Sequence, residues 1–245
     1  MTAMCHIGTP MLANLDWGGL AGAGIFIAML LFTILWYHRA QTTKRGVFDK
    51  LEAMGFEVLA CPSDVQKYDA YQMLGRPLGD GLHGVAWVAR GRISERLAFV
   101  IEHVVHMKHH GRRGVRLTTR TFAVTSCPAG WPRLELTETH LGDELLCIVG
   151  IRRTQHSSSS REFSKRWRVS CDDSEFAGRL LNERVTAFAR SLPRNSGVLI
   201  GAGRIVISTQ KLVRPDEVQV FSTRPAEFLS LLPPELDEYQ SPAGA

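Results

Sequence analysis

Histidine is the residue type best suited to metal chemistry in this 245-residue chain. Four histidines fall within eight residues, namely His103, His106, His109 and His110. A catalytic zinc needs three ligands that converge on the ion and outer partners that orient them. The first two histidines lie in a predicted strand, where their spacing places them on opposite faces, and the other two lie at a predicted hairpin tip. We therefore expect solvated histidines here, with no metal and no other cofactor.

Motifs for nucleophilic catalysis or phosphate binding are missing from the sequence, which has no P-loop, dinucleotide-binding glycine pattern, G-x-S-x-G elbow, H-E-x-x-H helix or kinase signature. Asp172 and Asp173 precede a predicted helix, whose N-terminus favours negative charge. Gly201 and Gly203 suit a tight turn and are too few for a phosphate cradle. The five cysteines are scattered without a C-x-x-C pair, which argues against a disulfide framework or a zinc knuckle. These patterns predict a protein that is not an enzyme.

Two basic stretches are the strongest indication of a binding function. Residues 108–120 hold five cations and no acid, and residues 152–168 hold six cations and one acid. Cationic loops beside a bilayer gain about 1 kcal/mol per Lys or Arg from anionic lipid. Nucleic acid is not expected, because the aromatic side chains needed as stacking platforms are not interleaved there apart from Phe163 and Trp167. The predicted lipid or partner contacts are Lys108, Arg112, Arg113, Arg116, Arg152 and Arg153.

An uncharged apolar segment covers residues 17–37, with tryptophan or tyrosine at both ends. As a helix it would be roughly 30 Å long, which is the thickness of a bilayer core. No Lys or Arg precedes it, whereas Arg39, Lys44 and Arg45 follow it. The positive-inside rule therefore predicts a single-pass cell-membrane protein with residues 1–16 outside and the main domain in the cytoplasm. Gly18 and Gly22 form one G-x-x-x-G, a weak indication of a homodimer.

After this segment the chain alternates between helical and strand-like patterns. An amphipathic helix is predicted within residues 38–55, followed by a globular domain over 56–235 and a flexible tail over 236–245. Further helices are predicted at 175–192 and 225–232. Strands are predicted at 56–60, 85–89, 97–107, 115–126, 133–137, 145–151, 162–171, 198–200 and 204–208. The expected fold class is α+β, with one transmembrane helix before a mainly antiparallel sheet and a few packed helices.

Several of these segments resemble a family of uncharacterised bacterial single-span membrane proteins that carry a C-terminal domain of unknown function. The resemblance rests on GVAWVARGR, WPRLEL, REFSKRWRVSCDDSEFAGRLL and IGAGRIVIS, and it spans residues 46–235. The family's strand motif matches at Phe163, Lys165, Arg166, Trp167 and Val169, and Ser164 replaces the usual asparagine. The resemblance implies no activity, cofactor or catalytic residue.

Two functional hypotheses follow. The first is a membrane-anchored, non-enzymatic module that binds a protein partner or the anionic inner leaflet. The second is a membrane-associated hydrolase or transferase with an unrecognised active site. A polar pocket with perturbed titratable groups would favour the enzyme, whereas a closed core with an exposed apolar or basic patch would favour the binding module.

Overall fold

The computed structural model describes residues 17–60, 62–63, 66–67, 84–108, 115–138 and 161–239. The chain forms two compact units, Met1–Lys44 and Arg45–Ala245. The predicted strand at 145–151 and the histidines His109 and His110 lie outside the described residues.

The first helix, α1, runs from Trp17 to Ala53. The apolar segment and the predicted amphipathic helix are thus one continuous helix rather than two. In the first unit, the large apolar side chains from Ile25 to Tyr37 are 49–71% exposed. In the second unit, Val47 and Leu51 are buried in the core. Within the described part of the chain, no helix combines the length and the apolar content that a membrane crossing requires.

An antiparallel sheet organises the second unit. Its eight described strands follow the order β1-β2-β3-β4-β8-β7-β5-β6. The strands are β1 (Glu57–Leu59), β2 (Val85–Ile93), β3 (Arg96–Lys108), β4 (Val115–Ser126), β5 (Leu134–Glu138), β6 (Trp167–Cys171), β7 (Ser196–Gly201) and β8 (Arg204–Thr209). The predicted α+β class with a mainly antiparallel sheet is confirmed.

Two tight turns connect neighbouring strands, and the second lies at the predicted place. Between β2 and β3, Ser94 and Glu95 both have positive φ, and between β7 and β8 so do Ala202 and Gly203. Two successive residues with positive φ are the signature of the type I′ turn, whose twist matches that of the flanking strands. These turns fix the register of both hairpins.

The shorter helices depart from the sequence prediction in three places. Residues predicted to begin a strand form α2 (Arg161–Arg166). The single helix expected at 175–192 is two helices, α3 (Ser174–Leu180) and α4 (Glu183–Ser191). The last helix, α5 (Val218–Ser230), begins seven residues earlier than predicted and contains Pro225 in its interior.

Local chemistry explains the first two differences. Phe163 lies in α2 and Trp167 begins β6. Their spacing of four residues is compatible with a helix and with one face of a strand, so it does not distinguish the two. Their rings stack at 6.4 Å, and both are buried. The break after Leu180 occurs because the Asn182 side chain accepts a hydrogen bond from the Val185 amide and so caps a new helix.

The main core fills the space between one sheet face and the helices. It contains Leu51 of α1, Phe176 of α3, Phe188 of α4 and Phe228 of α5, and the last two rings meet edge to face at 5.4 Å. A smaller cluster on the opposite face contains Phe99, Ile101, Phe122 and Val124. The two clusters use alternate residues of the same strands, as the period of two requires.

The start of the predicted flexible tail is ordered. Leu236 is fully buried, and its carbonyl accepts a hydrogen bond from the Trp131 indole at 2.6 Å. The Tyr239 hydroxyl donates to Asp173 at 2.6 Å. This bond lowers the pKa of the Asp173 carboxyl and raises the pKa of Tyr239 to about 12. Residues 236–239 therefore belong to the folded unit.

Candidate binding cavity beside the last helix

A cavity of about 230 Å³ lies between α5 and the β7–β8 hairpin. Its position follows from the packing of α5 against β4 and β8 at one end of the main core. The lining residues are Leu192, Pro193, Ser196, Ile207, Thr209, Lys211, Val213, Asp216, Glu217, Val220, Phe221 and Arg224.

The cavity begins where the core-facing rows of β7 and β8 change from apolar to polar. Along β7 the row reads Ser196, Val198, Ile200, and along β8 it reads Ile205, Ile207, Thr209. Ser196 and Thr209 are paired across the two strands and therefore face the same side of the sheet. Both lie on a face that is otherwise filled by branched apolar side chains.

The hydroxyl groups of Ser196 and Thr209 are buried beneath the cavity wall. Each residue is 1% exposed, and neither hydroxyl has a hydrogen-bond partner among the described residues. Their neighbour Thr121, opposite Thr209 on β4, instead donates to the Lys211 carbonyl at 3.0 Å. Buried polar side chains in native proteins are usually bonded, so each exception requires an explanation. Both exceptions here line the same cavity.

Charged side chains at the cavity rim neutralise one another. The Lys211 ammonium contacts both carboxylate oxygens of Glu217, at 2.9 and 3.0 Å. This hydrogen bond and the charge of the ammonium hold the pKa of Glu217 below its usual range. Arg224 is paired with Glu227 at 2.9 Å and lies 5.4 Å from the centre of the Phe188 ring. The charged residues of the lining are thus two cations, Lys211 and Arg224, and two anions, Asp216 and Glu217.

The rim of the cavity includes an exposed apolar side chain. In the described part of the second unit, Leu212 and Val220 are the large apolar side chains classed as exposed, at 39% and 54%. Val220 lines the cavity, and Leu212 lies between the lining residues Lys211 and Val213. Val220 therefore contributes exposed apolar surface to the rim of the cavity.

One wall of the cavity is fixed by Arg166. Its guanidinium donates to the carbonyls of Leu192 and Pro193, at 2.8 and 3.2 Å, and to the carboxylate of Glu138. The second carboxylate oxygen of Glu138 accepts from the Asn195 amide. Arg166 belongs to the strand motif of the resemblance and to a predicted basic stretch, yet its bonds hold the segment that leads into β7. Its role is structural.

A second wall is the loop between β8 and α5, which packs against the end of α1. A Cβ atom on Gly46 would come within 2.9 Å of the Pro215 ring, so only glycine allows this contact without a shift. The chain therefore enters the second unit beside the loop that carries Lys211, Val213 and Glu217.

The predicted basic contacts lie elsewhere in the sequence. Lys108 ends β3, and Arg116 pairs with Met107 near the start of β4. Arg112, Arg113, Arg152 and Arg153 lie outside the described residues. Arg120 of the same basic stretch is only 2% exposed, so this stretch is not uniformly a solvated surface.

The histidine prediction requires a correction. His103 is 1% exposed and lies opposite Arg120 on the β3–β4 pair, so the expectation of a solvated side chain is wrong at this position. Within the described residues, no group of three or more His, Cys, Asp or Glu side chains is arranged to hold a metal ion.

The described thiols are unsuited to nucleophilic chemistry. Cys127 and Cys171 are free, and burial raises the pKa of the Cys127 thiol to about 12. Burial also raises the pKa of Cys171. The thiolate is the nucleophilic form, so both groups are held in the unreactive state at neutral pH.

Sequence reasoning missed the cavity because the predicted strands covered only residues 198–200 and 204–208. Ser196 and Thr209 therefore lay just outside them. The available signal was that a serine and a threonine, Ser196 and Thr209, continue the alternating apolar rows of β7 and β8. The alternation alone cannot distinguish a core position from a position that lines a cavity.

No protein-family model matches the chain, and no curated protein matches it. Among solved structures, it is similar to the one described as the crystal structure of the mycobacterial trehalose monomycolate transport factor A, TtfA. The alignment covers 78% of this chain and 96% of that chain, with a TM-score of 0.47 and 13% identity.

Proposed function

We propose that the chain is a membrane-anchored, non-enzymatic module that binds a protein partner at the cavity beside α5. The observation that carries the binding role is an apolar cavity beside α5 whose rim includes the exposed side chain of Val220. Exposed apolar surface next to a concave site is typical of an interaction surface.

Anchoring is supported by α1. Eleven large apolar side chains between Ile25 and Tyr37 are at least 49% exposed and occur on all sides of the helix. A helix that is apolar all round is suited to lipid or to a protein interior. Residues 17–24 before them are also uncharged. The proposed span is residues 17–37, with the second unit on the cytoplasmic side.

Binding is favoured over catalysis by the chemistry of the lining. None of the described lining residues is His or Cys, and the Lys211 ammonium is bound to the Glu217 carboxylate. A serine nucleophile needs a neighbouring base that can take its proton. Ser196 has none within hydrogen-bonding distance among the described residues.

A protein partner is favoured over the anionic inner leaflet at this site. Anionic lipid attracts an excess of cations, whereas the cavity lining carries equal numbers of cations and anions. The apolar rim instead resembles the desolvated centre of a protein interface.

Site-specific photocrosslinking tests the binding role. A photoreactive phenylalanine analogue replaces Val220 at the rim in the full-length protein in its native membrane, and the matched control carries it at Ala187, an exposed position on α4. We expect one discrete crosslinked species from position 220 and none from position 187. Equal crosslinking from both positions, or none from either, would contradict the proposal.

A further inference from the structure

We infer that residues 233–239 form a detachable C-terminal strap, and that its binding site also accepts the same segment of a second copy of this chain. The strap follows α5 and includes a 3₁₀ turn at Pro234–Leu236. Its binding site, the seat, is formed by Trp131, Asp173, Phe176 and Arg179. The contacts of the strap show which kind of segment the seat recognises.

The strap is folded on itself. The amides of Leu236, Asp237 and Tyr239 each donate to the carbonyl three residues earlier, at 3.0–3.1 Å. Within the described residues, no backbone–backbone hydrogen bond joins the strap to the rest of the second unit. The strap can therefore leave its seat as a preformed turn, without breaking a sheet ladder or a helix. Segments held in this way open locally at a lower free energy than the whole fold.

Two residues of the strap anchor it. Leu236 is fully buried in the main core, and its carbonyl accepts a hydrogen bond from the Trp131 indole at 2.6 Å. The Tyr239 ring lies 5.2 Å from the Phe176 ring, which lies 5.8 Å from the Trp131 ring. The two residues between the anchors are exposed. The seat therefore recognises a leucine and a tyrosine separated by two solvent-facing residues.

Asp173 makes the seat selective for the phenol. One of its carboxylate oxygens caps α3 by accepting from the amides of Glu175 and Phe176, at 2.9 and 3.1 Å. The other oxygen accepts from the Tyr239 hydroxyl at 2.6 Å. Because the cap holds the carboxylate in place, the hydroxyl meets a charged acceptor that is already oriented. The Arg179 guanidinium, 5.7 Å from the centre of the Tyr239 ring, adds a cation–π contact.

The connection to α5 favours exchange between chains. Pro233 has an extended backbone, with φ −61° and ψ 137°, and Pro234 follows it. Proline has no amide hydrogen and clashes with the preceding helical turn, so α5 cannot lengthen to absorb a released strap. A released strap therefore stays available for another seat. In an exchanged pair every contact of the strap is made again, which makes such an exchange a low-cost route to a dimer.

A second copy of the chain is the partner that these contacts identify. Its strap has the same sequence, PPELDEY, and so offers the seat the same leucine and the same tyrosine. None of the four seat residues lines the cavity beside α5. The inference therefore goes beyond the proposed function and can be tested independently of it.

A peptide with the strap sequence tests the seat. Acetylated and amidated PPELDEY with a fluorophore is titrated into the detergent-solubilised protein, and binding is followed by fluorescence anisotropy. One form of the protein ends at Leu232 and has an open seat, whereas the full chain carries its own competing strap. We expect saturable binding to the open seat and binding to the full chain at least about tenfold weaker. The Tyr239→Phe peptide should bind the open seat about tenfold more weakly, because it cannot bond Asp173.

Capture between two differently tagged chains tests the second copy. We expect the open-seat chain to capture the full chain, and capture to fall when the full chain carries Leu236→Ala or Tyr239→Phe. Glu238→Ala, at an exposed position of the strap, is the matched control and should leave capture unchanged. Two chains that both end at Leu232 should not capture each other. If the shortened chain does not fold, full-length Leu236→Ala replaces it as the open-seat chain, because its own strap is weakened.

Three results would overturn the inference: no binding of the peptide to either open-seat form, equal binding of the Tyr239→Phe peptide, or capture that does not depend on the strap. Peptide binding without capture would restrict the strap to its own chain and reject the second copy as its partner.

Discussion

At the scale of single residues, Arg166 shows how a surface-like sequence can be structural. It belongs to a stretch of six cations that suggests lipid contact, yet its guanidinium bonds Glu138 and the carbonyls of Arg190, Leu192 and Pro193. Arginine is suited to this task because its planar fork presents several donors in fixed directions. The number of cations in the stretch could not show whether Arg166 holds the fold together or contacts anionic lipid.

Replacing Arg166 tests this role. Arg166→Ala should lower the free energy of unfolding by about 2 kcal/mol, because Glu138, with its side chain only 8% exposed, loses its cation. We take a value below that of a fully buried pair, since the Arg166 side chain is 33% exposed. Arg166→Lys should recover only part of the loss, because an ammonium cannot reach all these acceptors. Denaturant unfolding of the purified protein measures both variants.

The control for this pair is Arg168, which carries the same charge two residues later and pairs with Thr137 in the sheet. Its side chain has no hydrogen bond or ion pair with the described residues. Arg168→Ala should change the free energy of unfolding by less than about 0.5 kcal/mol. If Arg166→Ala and Arg168→Ala had equal effects, the specific role of the Arg166 guanidinium would be refuted.

At single residues, burial can be predicted from the sequence, whereas the lining of a cavity cannot. Phe163, Trp167 and Val169 are apolar residues within a basic stretch, and all three are buried. Their burial follows from side-chain type and spacing. Whether Ser196 and Thr209 line a cavity depends instead on where α5 stops covering the sheet. Contacts between residues distant in sequence determine that position.

At the scale of elements, hairpins were easier to predict than helix boundaries. The β7–β8 turn is encoded locally, because Gly203 supplies one of the two positive φ angles that the turn needs. The break between α3 and α4 depends on a competition between a continuous apolar stripe and a cap at Asn182. The stripe predicts one helix through residue 192, and the cap divides it.

The Asn182 cap can be tested by a pair of substitutions. Asn182→Ala removes the acceptor for the Val185 amide and should lower the free energy of unfolding by about 1 kcal/mol. Asn182→Asp keeps an acceptor oxygen at the same position and should cost much less. Thermal unfolding followed by circular dichroism measures both. A loss of equal size in the two variants would show that the cap does not stabilise the start of α4.

At the scale of the whole molecule, the fold class was predictable from alternating strand patterns and a few helical stripes. Alternating apolar residues indicate which face of each strand is buried. Strands with one buried face, together with a few amphipathic helices, predict an antiparallel sheet with helices on one side. The order of the strands was not predictable, because β8 inserts next to β4 and places β5 and β6 beyond β7. Such long-range pairing leaves little trace in local sequence.

In the proposed function, α1 tethers a cytoplasmic binding module to the membrane. The most direct measurement uses a thiol reagent that cannot cross membranes, applied to intact cells that produce the full-length protein with either native Cys5 or a Ser158→Cys substitution in a Cys5→Ser background. Because the cations follow the apolar segment, we predict labelling at position 5 and none at position 158 until the cells are permeabilised. Labelling of position 158 alone would reverse the orientation, and labelling of neither position in intact cells would contradict a membrane span.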